Sequence, residues 1–235
     1  DEIQHMYMVF LTFLYDKVQD TRTPARFMAD AEHAASVDPQ SARVQAFLGL
    51  LKQRHVTLDP TLVVFESLFT DRAGVVGPGT AAVADRMPPL VRRSLLEGGL
   101  PVPDGKDASY RQALTQMQRM LMAVRSAGVP FVAGTDALPG FMLARELELY
   151  VEAGVPAPEV LRIATLDAAR LAGLEGELGS IAPGKLADMI LVDGDPSRNV
   201  GDVRRLQLVI KDGALFDPDA LCRALGIQPL AATGR

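Results

Sequence analysis

Two residues of this chain stand where a side chain can do chemistry. Asp136 closes the stretch that begins with "VPFVAG", residues 129 to 134, a continuous apolar run of the kind buried on both faces of a parallel sheet. His5 follows "EIQ", residues 2 to 4, a short strand candidate. In barrels of parallel strands the catalytic residues sit where the strands end, at the carboxyl face, so a histidine and an acid at two strand ends of one sheet can converge on a common point. Imidazole and carboxylate both suit zinc or a similar divalent ion. The alternatives are plainer: Asp136 as a cap on the turn or helix that follows it, and His5 as a structural histidine. His33 and His55 read as structural, because neither ends a strand and His55 precedes one. The sequence contains no His-x-His pair and no His-Glu-x-x-His.

The elements that must position these residues alternate along the chain. Met6 to Val18 reads as an amphipathic helix or hydrophobic loop, Thr23-Pro24 has the pattern of a helix start, and Ser41 to Arg54 carries Val44, Phe47, Leu48 and Leu51 at helical spacing. "HVTLDPTLVVF", residues 55 to 65, reads as a strand that ends or bends near Pro60. A loop of "TDRAGVVGPGT" leads to a helix from Pro89 to Glu97, and a long helix follows from Ala108 to Ala127, with Tyr110, Leu114, Met117, Leu121 and Val124 on one face. Met117, Met120 and Met122 are read as core filler. After "VPFVAG" come helices at Leu143 to Ala153 and Ala157 to Ala172. Strand, helix, strand, long helix, strand, helix is the pattern of βαβ units around a parallel sheet. Beyond Gly173 the texture changes to short β segments broken by Gly, Asp and Pro, with a brief helix near Pro218 to Leu225. The expected organisation is therefore an α/β unit over 1–173 and a small β-rich segment over 174–235.

Composition removes several classes of function. A net charge of -5, with 24 Lys and Arg set against 29 Asp and Glu, leaves no basic stripe for a nucleic acid. No apolar run is long enough to span a bilayer. The acids that open "DEIQHMYMVF" do not resemble the basic start of a signal peptide, so any such signal is expected upstream of Asp1 and the chain is expected to be soluble. The single Cys222 allows no disulfide within the chain and reads as an inert thiol. "GSIAPGK", residues 179 to 185, has phosphate-loop spacing, yet Leu186 replaces the magnesium-binding hydroxyl and Pro183 removes a needed amide. It reads as a turn, as does "DGDP" at 193 to 196, which lacks the spaced oxygens of a calcium loop.

Taken together, "GTDALPGFMLARELELYVEAGVPAPEVLRIATLDAARLAGLEGELGSIAPGKLADMILVDGDP" and "VRRLQLVIKDG" resemble the C-terminal end of the amidohydrolase superfamily, in the branch of imidazolonepropionase and Xaa-Pro dipeptidase. The resemblance runs from Val129 to Gly213. It implies a TIM-like (β/α)8 barrel, of which this chain supplies about strands six to eight, and part of a small β-sandwich. It further implies that Asp136 is the acid after the eighth strand, which binds metal and shuttles a proton, that "DEIQH" is the sixth strand with His5 as its metal-binding histidine, and that "VTLDPTL" is the seventh.

On that resemblance the expected activity is hydrolysis of amide, peptide or cyclic-amide C–N bonds by a metal-activated water. The expected cofactor is a divalent metal, zinc by preference, with one or two ions in the complete protein, and the expected substrate is a small molecule or dipeptide. Asp136 would accept the proton of the attacking water and pass it to the leaving nitrogen. The pattern also departs from the family. The His-x-His of strand one, the bridging residue of strand four and the histidine of strand five have no counterparts, and Ala144 replaces a histidine common before "REL". Two donors fall short of the about three protein ligands of a catalytic zinc. An inactive fragment or non-enzymatic barrel relic is therefore the rival expectation. The unpaired barrel edges invite an oligomer or a partner chain to complete the barrel.

Overall fold

A computed structural model of the chain describes residues 1–138 and 140–230. Pro139, half of the proline-glycine break after Asp136, and residues 231–235, the end of the β-rich segment, lie outside the described residues.

Three extended segments run side by side. Strand β1 (Glu2–Gln4) pairs in parallel with β2 (Thr57–Asp59), Ile3 lying opposite Leu58. The segment around Phe131 bridges Leu58 in parallel on the other side of β2. Two backbone bonds fix that bridge: Leu58 donates to the Pro130 carbonyl at 2.9 Å, and Val132 donates to the Leu58 carbonyl at 2.9 Å. The three segments thus keep their chain order across the layer and point the same way, which places residues 5, 59–61 and 133–136 at one common end.

Helices separate and flank them. After β1 come α1 (Met6–Leu14), α2 (Ala25–His33) and α3 (Ala42–Gln53), the last capped by Ser41, whose hydroxyl accepts from the Val44 amide. The strand expected to end or bend near Pro60 ends at Asp59, and helix α4 (Leu62–Thr70) follows after only Pro60 and Thr61, so Val63, Val64 and Phe65 are helical. Then come α5 (Pro89–Ser94), α6 (Asp107–Ala127), α7 (Met142–Ala153) and α8 (Ala157–Arg162). The helix expected to run unbroken to Ala172 instead passes through one wide π-type stretch at Ile163–Asp167 before resuming as α9 (Ala168–Leu171).

One apolar core joins these pieces. Met6, Val9 and Phe10 of α1, Leu58 of β2, Leu62 and Phe65 of α4, Tyr110, Met117 and Leu121 of α6, and Leu149 and Tyr150 of α7 belong to a single buried cluster. Met120 is fully buried with them and Met122 packs at the margin. Each such side chain contributes on the order of 1.5–3 kcal/mol through removal from water. The layer is thus pinned from behind by α4, α6 and α7 while its carboxyl end stays open.

The C-terminal region forms a separate antiparallel sheet of β3 (Met189–Val192), β4 (Leu206–Lys211) and β5 (Ala214–Phe216), followed by α10 (Pro218–Ala224). Ile190, Leu191, Leu215 and Phe216 are all exposed, and none of the three strands has a buried residue. The molecule is a mixed α/β structure with a parallel layer and a distinct antiparallel one.

Candidate functional site

His5 is the first residue past β1, and its backbone is held before its side chain is used. Its N–H donates to the Asp59 carbonyl at 2.7 Å, and the Met6 N–H donates to the Pro60 carbonyl at 2.9 Å. These bonds tie the chain to β2 just past the paired residues, where His5 has a positive φ of 71°. The ring lies beside Tyr7, 5.9 Å between centroids, and edge-on to Phe65 at 6.3 Å. Its Nδ1 lies 2.8 Å from Thr61 Oγ1. Nε2 therefore points the other way, toward the open end of the layer.

Asp136 is found in that direction. Its Oδ2 stands 3.7 Å from His5 Nε2. The two residues leave segments separated by β2, which at about 4.8 Å per strand would put them roughly 10 Å apart. They meet because the 134–136 segment leans back over β2, with Asp136 itself at φ 45°. Asp136 is 67% exposed and His5 26%, so the pair faces solvent on one side and the aromatic wall on the other.

The lean has a local cause. Gly134 donates its N–H to Asp59 Oδ1 at 2.8 Å, and a Cβ at position 134 would stand 2.1 Å from Asp59 Oδ2. Only glycine lets the chain pass so close to the carboxylate. Burial pushes the Asp59 carboxyl above its ordinary value, while the Gly134 amide opposes that shift. Asp59 is thus a second acid at the strand ends, and sequence reasoning passed over it. The signal was its place as the last residue of "TLD" before a proline.

Thr61 and Glu146 were missed as well. Thr61 occupies the residue before α4, where a threonine ordinarily accepts an amide of the first turn, but its side chain makes no capping bond. The first-turn amides instead go to Glu146 of α7: Leu62 donates to Oε1 at 2.8 Å and Val63 to Oε2 at 2.7 Å. Glu146 is fully buried. Burial pushes its carboxyl up to about 8 against the pull of those two amides.

His55 is exposed at the opposite end of β2, and His33 is the last residue of α2. Among the described residues neither joins the pair in a group that could hold a metal ion. Ala144 lies on the first turn of α7 beside Arg145, which grips the buried Glu66 with two bonds of 2.9 and 2.6 Å. Residues 179–185 form no phosphate loop followed by a helix; Lys185 turns back onto the Leu178 carbonyl at 3.2 Å and Ser180 Oγ at 2.8 Å. A cavity of about 550 Å³ opens at the other end of the layer, lined by Thr57, Val129, Phe131, Arg125 and Arg162. It is remote from the His5–Asp136 pair, and its arginines are engaged by Glu159 and Asp167.

The donor chemistry and spacing of the pair suit a divalent cation. Two donors held about 2 Å from a shared zinc lie about 3.3 Å apart, close to the separation seen here. The pair is still only part of a centre: among the described residues no group of three or more His, Cys, Asp or Glu is placed to hold one ion.

Known proteins share this architecture. Bottromycin amidohydrolase superposes with a TM-score of 0.59 at 20% identity, covering 97% of this chain and 49% of that one. A Xaa-Pro dipeptidase structure superposes with a TM-score of 0.53 at 23% identity, covering 82% of this chain and 41% of that one. In sequence, a 5-methylthioadenosine/S-adenosylhomocysteine deaminase from Symbiobacterium thermophilum is 36% identical over 106 residues, 40% of this chain and 23% of that protein. An imidazolonepropionase from Rubrobacter xylanophilus is 33% identical over 106 residues, 41% of this chain and 25% of that protein. The chain thus matches about a quarter of the length of those relatives and less than half of the solved structures. The amidohydrolase family model matches residues 53–216, more than half of the sequence, and it spans β2, Asp136 and the antiparallel sheet alike. By that match the chain belongs to the amidohydrolase family.

Proposed function

We propose that this chain supplies the sixth, seventh and eighth strands of a TIM-like barrel, together with part of a small β-sandwich, in a metal-dependent hydrolase of C–N bonds. His5 and Asp136 are two donors to its divalent metal, and Asp136 carries the proton. The observation that bears the reading is the 3.7 Å approach of His5 Nε2 to Asp136 Oδ2 across an intervening strand. The parallel order of β1, β2 and the Phe131 segment supports the strand assignment. Membership in the amidohydrolase family and the deaminase and imidazolonepropionase relatives support hydrolysis.

A divalent ion held there would acidify a water and polarise a substrate carbonyl. The chain's own residues do the rest. Asp136, mostly exposed, accepts the water's proton on a carboxylate oxygen and returns it to the departing nitrogen. Thr61 and the aromatic pair Tyr7 and Phe65 hold the His5 ring with Nε2 outward. Zinc is the metal of choice for a mixed imidazole and carboxylate donor set. The substrate class is a small amide, dipeptide or cyclic amide.

The test uses the chain itself and the complete protein. Cobalt(II), whose absorption reports nitrogen and oxygen donors, should bind the chain, and His5→Ala and Asp136→Ala should each weaken it at least tenfold. In the complete protein Asp136→Asn should abolish turnover while most bound metal is retained. Unaltered cobalt binding in both alanine variants, or full hydrolysis by Asp136→Asn, overturns the reading.

One observation favours a second reading, that the chain alone is a catalytically inactive fragment or barrel relic. Two donors are fewer than the about three of a catalytic zinc, and the described residues supply no third. Stoichiometric zinc with hydrolase activity in the isolated chain would defeat it, unless an oligomer or partner chain completes the centre.

A further inference from the structure

We propose that Thr61 and Glu146 form a positioning relay for His5, in which a buried acid on α7 frees a threonine hydroxyl to set the imidazole's tautomer. Thr61 has φ 46° and ψ 47°, a left-handed conformation that a β-branched residue adopts only under constraint. Such a residue persists where its surroundings over-determine it. Here they do. Pro60 before it receives the Met6 N–H, and Leu62 and Val63 after it donate to Glu146 from 84 and 83 residues away.

The consequence is an exchange of partners. In the extended backbone usual for this place a threonine would spend its hydroxyl on the helix; the left-handed backbone of Thr61 turns it away. Because Glu146 takes both first-turn amides, Thr61 Oγ1 is left for His5 Nδ1 at 2.8 Å. In this relay the hydroxyl accepts the Nδ1 proton, which leaves a lone pair on Nε2, the nitrogen that faces Asp136; the Asp136 carboxylate by itself favours the opposite tautomer, so a wild-type ring protonated chiefly on Nε2 overturns the relay. An outer hydrogen bond of this kind selects which ring nitrogen is free. Thr61 and Glu146 are positioning residues and touch no substrate in this scheme. The tautomer claim stands on the chain alone; its use in cation binding rests on the function proposed above.

The experiment reads the tautomer directly. Nitrogen-15 spectra of the histidine rings are recorded on the chain at a pH where imidazole is neutral. With three histidines in the sequence, the His5→Gln variant identifies the His5 signals. The wild type should show His5 chiefly protonated on Nδ1. Thr61→Val should move it toward Nε2 protonation, Thr61→Ser should keep the wild-type ratio, and Glu146→Gln, with one acceptor oxygen in place of two, should shift it part of the way. Glu146→Gln is chosen over alanine so that the chain still folds, with amide spectra as the check. A wild-type ratio in either folded Thr61→Val or folded Glu146→Gln overturns the relay.

Cobalt affinity adds a second reading: about 10–100-fold weaker in Thr61→Val and near wild type in Thr61→Ser. Tautomer shifts in a chain whose wild type binds no cobalt would sustain the relay and sink the metal reading. Undisturbed tautomers with intact cobalt binding would do the reverse.

Discussion

Gly134 and Asp59 touch at the one point where the two strand-end acids depend on each other: the glycine N–H meets Asp59 Oδ1 at 2.8 Å, two residues before Asp136. Gly134→Ala puts a methyl 2.1 Å from Asp59 Oδ2. Backbone or carboxylate must give way, and a hydrogen bond is lost. The expected cost is about 1–3 kcal/mol, read as a lower denaturant midpoint. Because Asp136 rides on the same segment, cobalt binding should weaken in parallel. Asp59→Ala removes the obstruction, so the double variant should be less destabilised than the sum of the singles. Strict additivity would show that the two residues do not press on each other.

Arg145 and Glu66 make the second pair with a sharp outcome. The carboxylate of Glu66 is 3% exposed and is held by two guanidinium bonds, a planar match that lysine cannot reproduce. Arg145 also reaches Glu152 and Glu148, and Glu148 is shared with Arg204 of the Val200–Arg204 turn. Removing the arginine strands a buried charge. Arg145→Met should cost about 3–5 kcal/mol, and adding Glu66→Gln should recover a large part by removing the uncompensated carboxylate. A loss below 1 kcal/mol in Arg145→Met would mean that Glu66 finds water or another cation.

How far the sequence reveals this site depends on how local each constraint is. Helices α3, α6 and α7 repeat their apolar positions every three or four residues, so their place and buried faces are legible. Asp136 is legible as a strand end, because an apolar strand that stops at a polar residue marks a rim; His5 follows only "EIQ", two of whose three residues are polar, and its place rests more on the resemblance. Helix α4 is not: "LVVF" carries β-branched and aromatic residues that favour strands, and what makes it helical is a cap from Glu146, 84 residues later. Nothing in the local pattern sets Glu146 apart from Glu148 and Glu152. Only the fold decides that one is buried and the others meet arginines. Asp59 stayed hidden for a related reason. An acid before proline also reads as turn chemistry, and its contact lies 75 residues away.

Asp30 supplies a prediction about pH. It lies on α2 with no exposed surface, and neither carboxyl oxygen has a hydrogen-bond partner. Burial pushes it from an ordinary 3.8 up to about 8. The folded chain therefore holds a proton that the unfolded chain releases once the pH passes about 4. From there stability falls as pH rises, because the unfolded state binds fewer protons, and the loss is complete above about 8. Its full size is on the order of 5–6 kcal/mol. Asp30→Leu should lessen this slope, to which buried Glu146 also contributes, and raise stability most at the alkaline end, where the wild type must ionise a buried acid. Asp107 and Asp188, whose carboxyls lysine or arginine partners hold below the usual range, act in the opposite sense below about pH 4 in both chains, so the difference between the two curves isolates Asp30. Denaturant midpoints measured from pH 4 to 9 that fall equally in wild type and variant would show that Asp30 is ionised and paired in the folded chain.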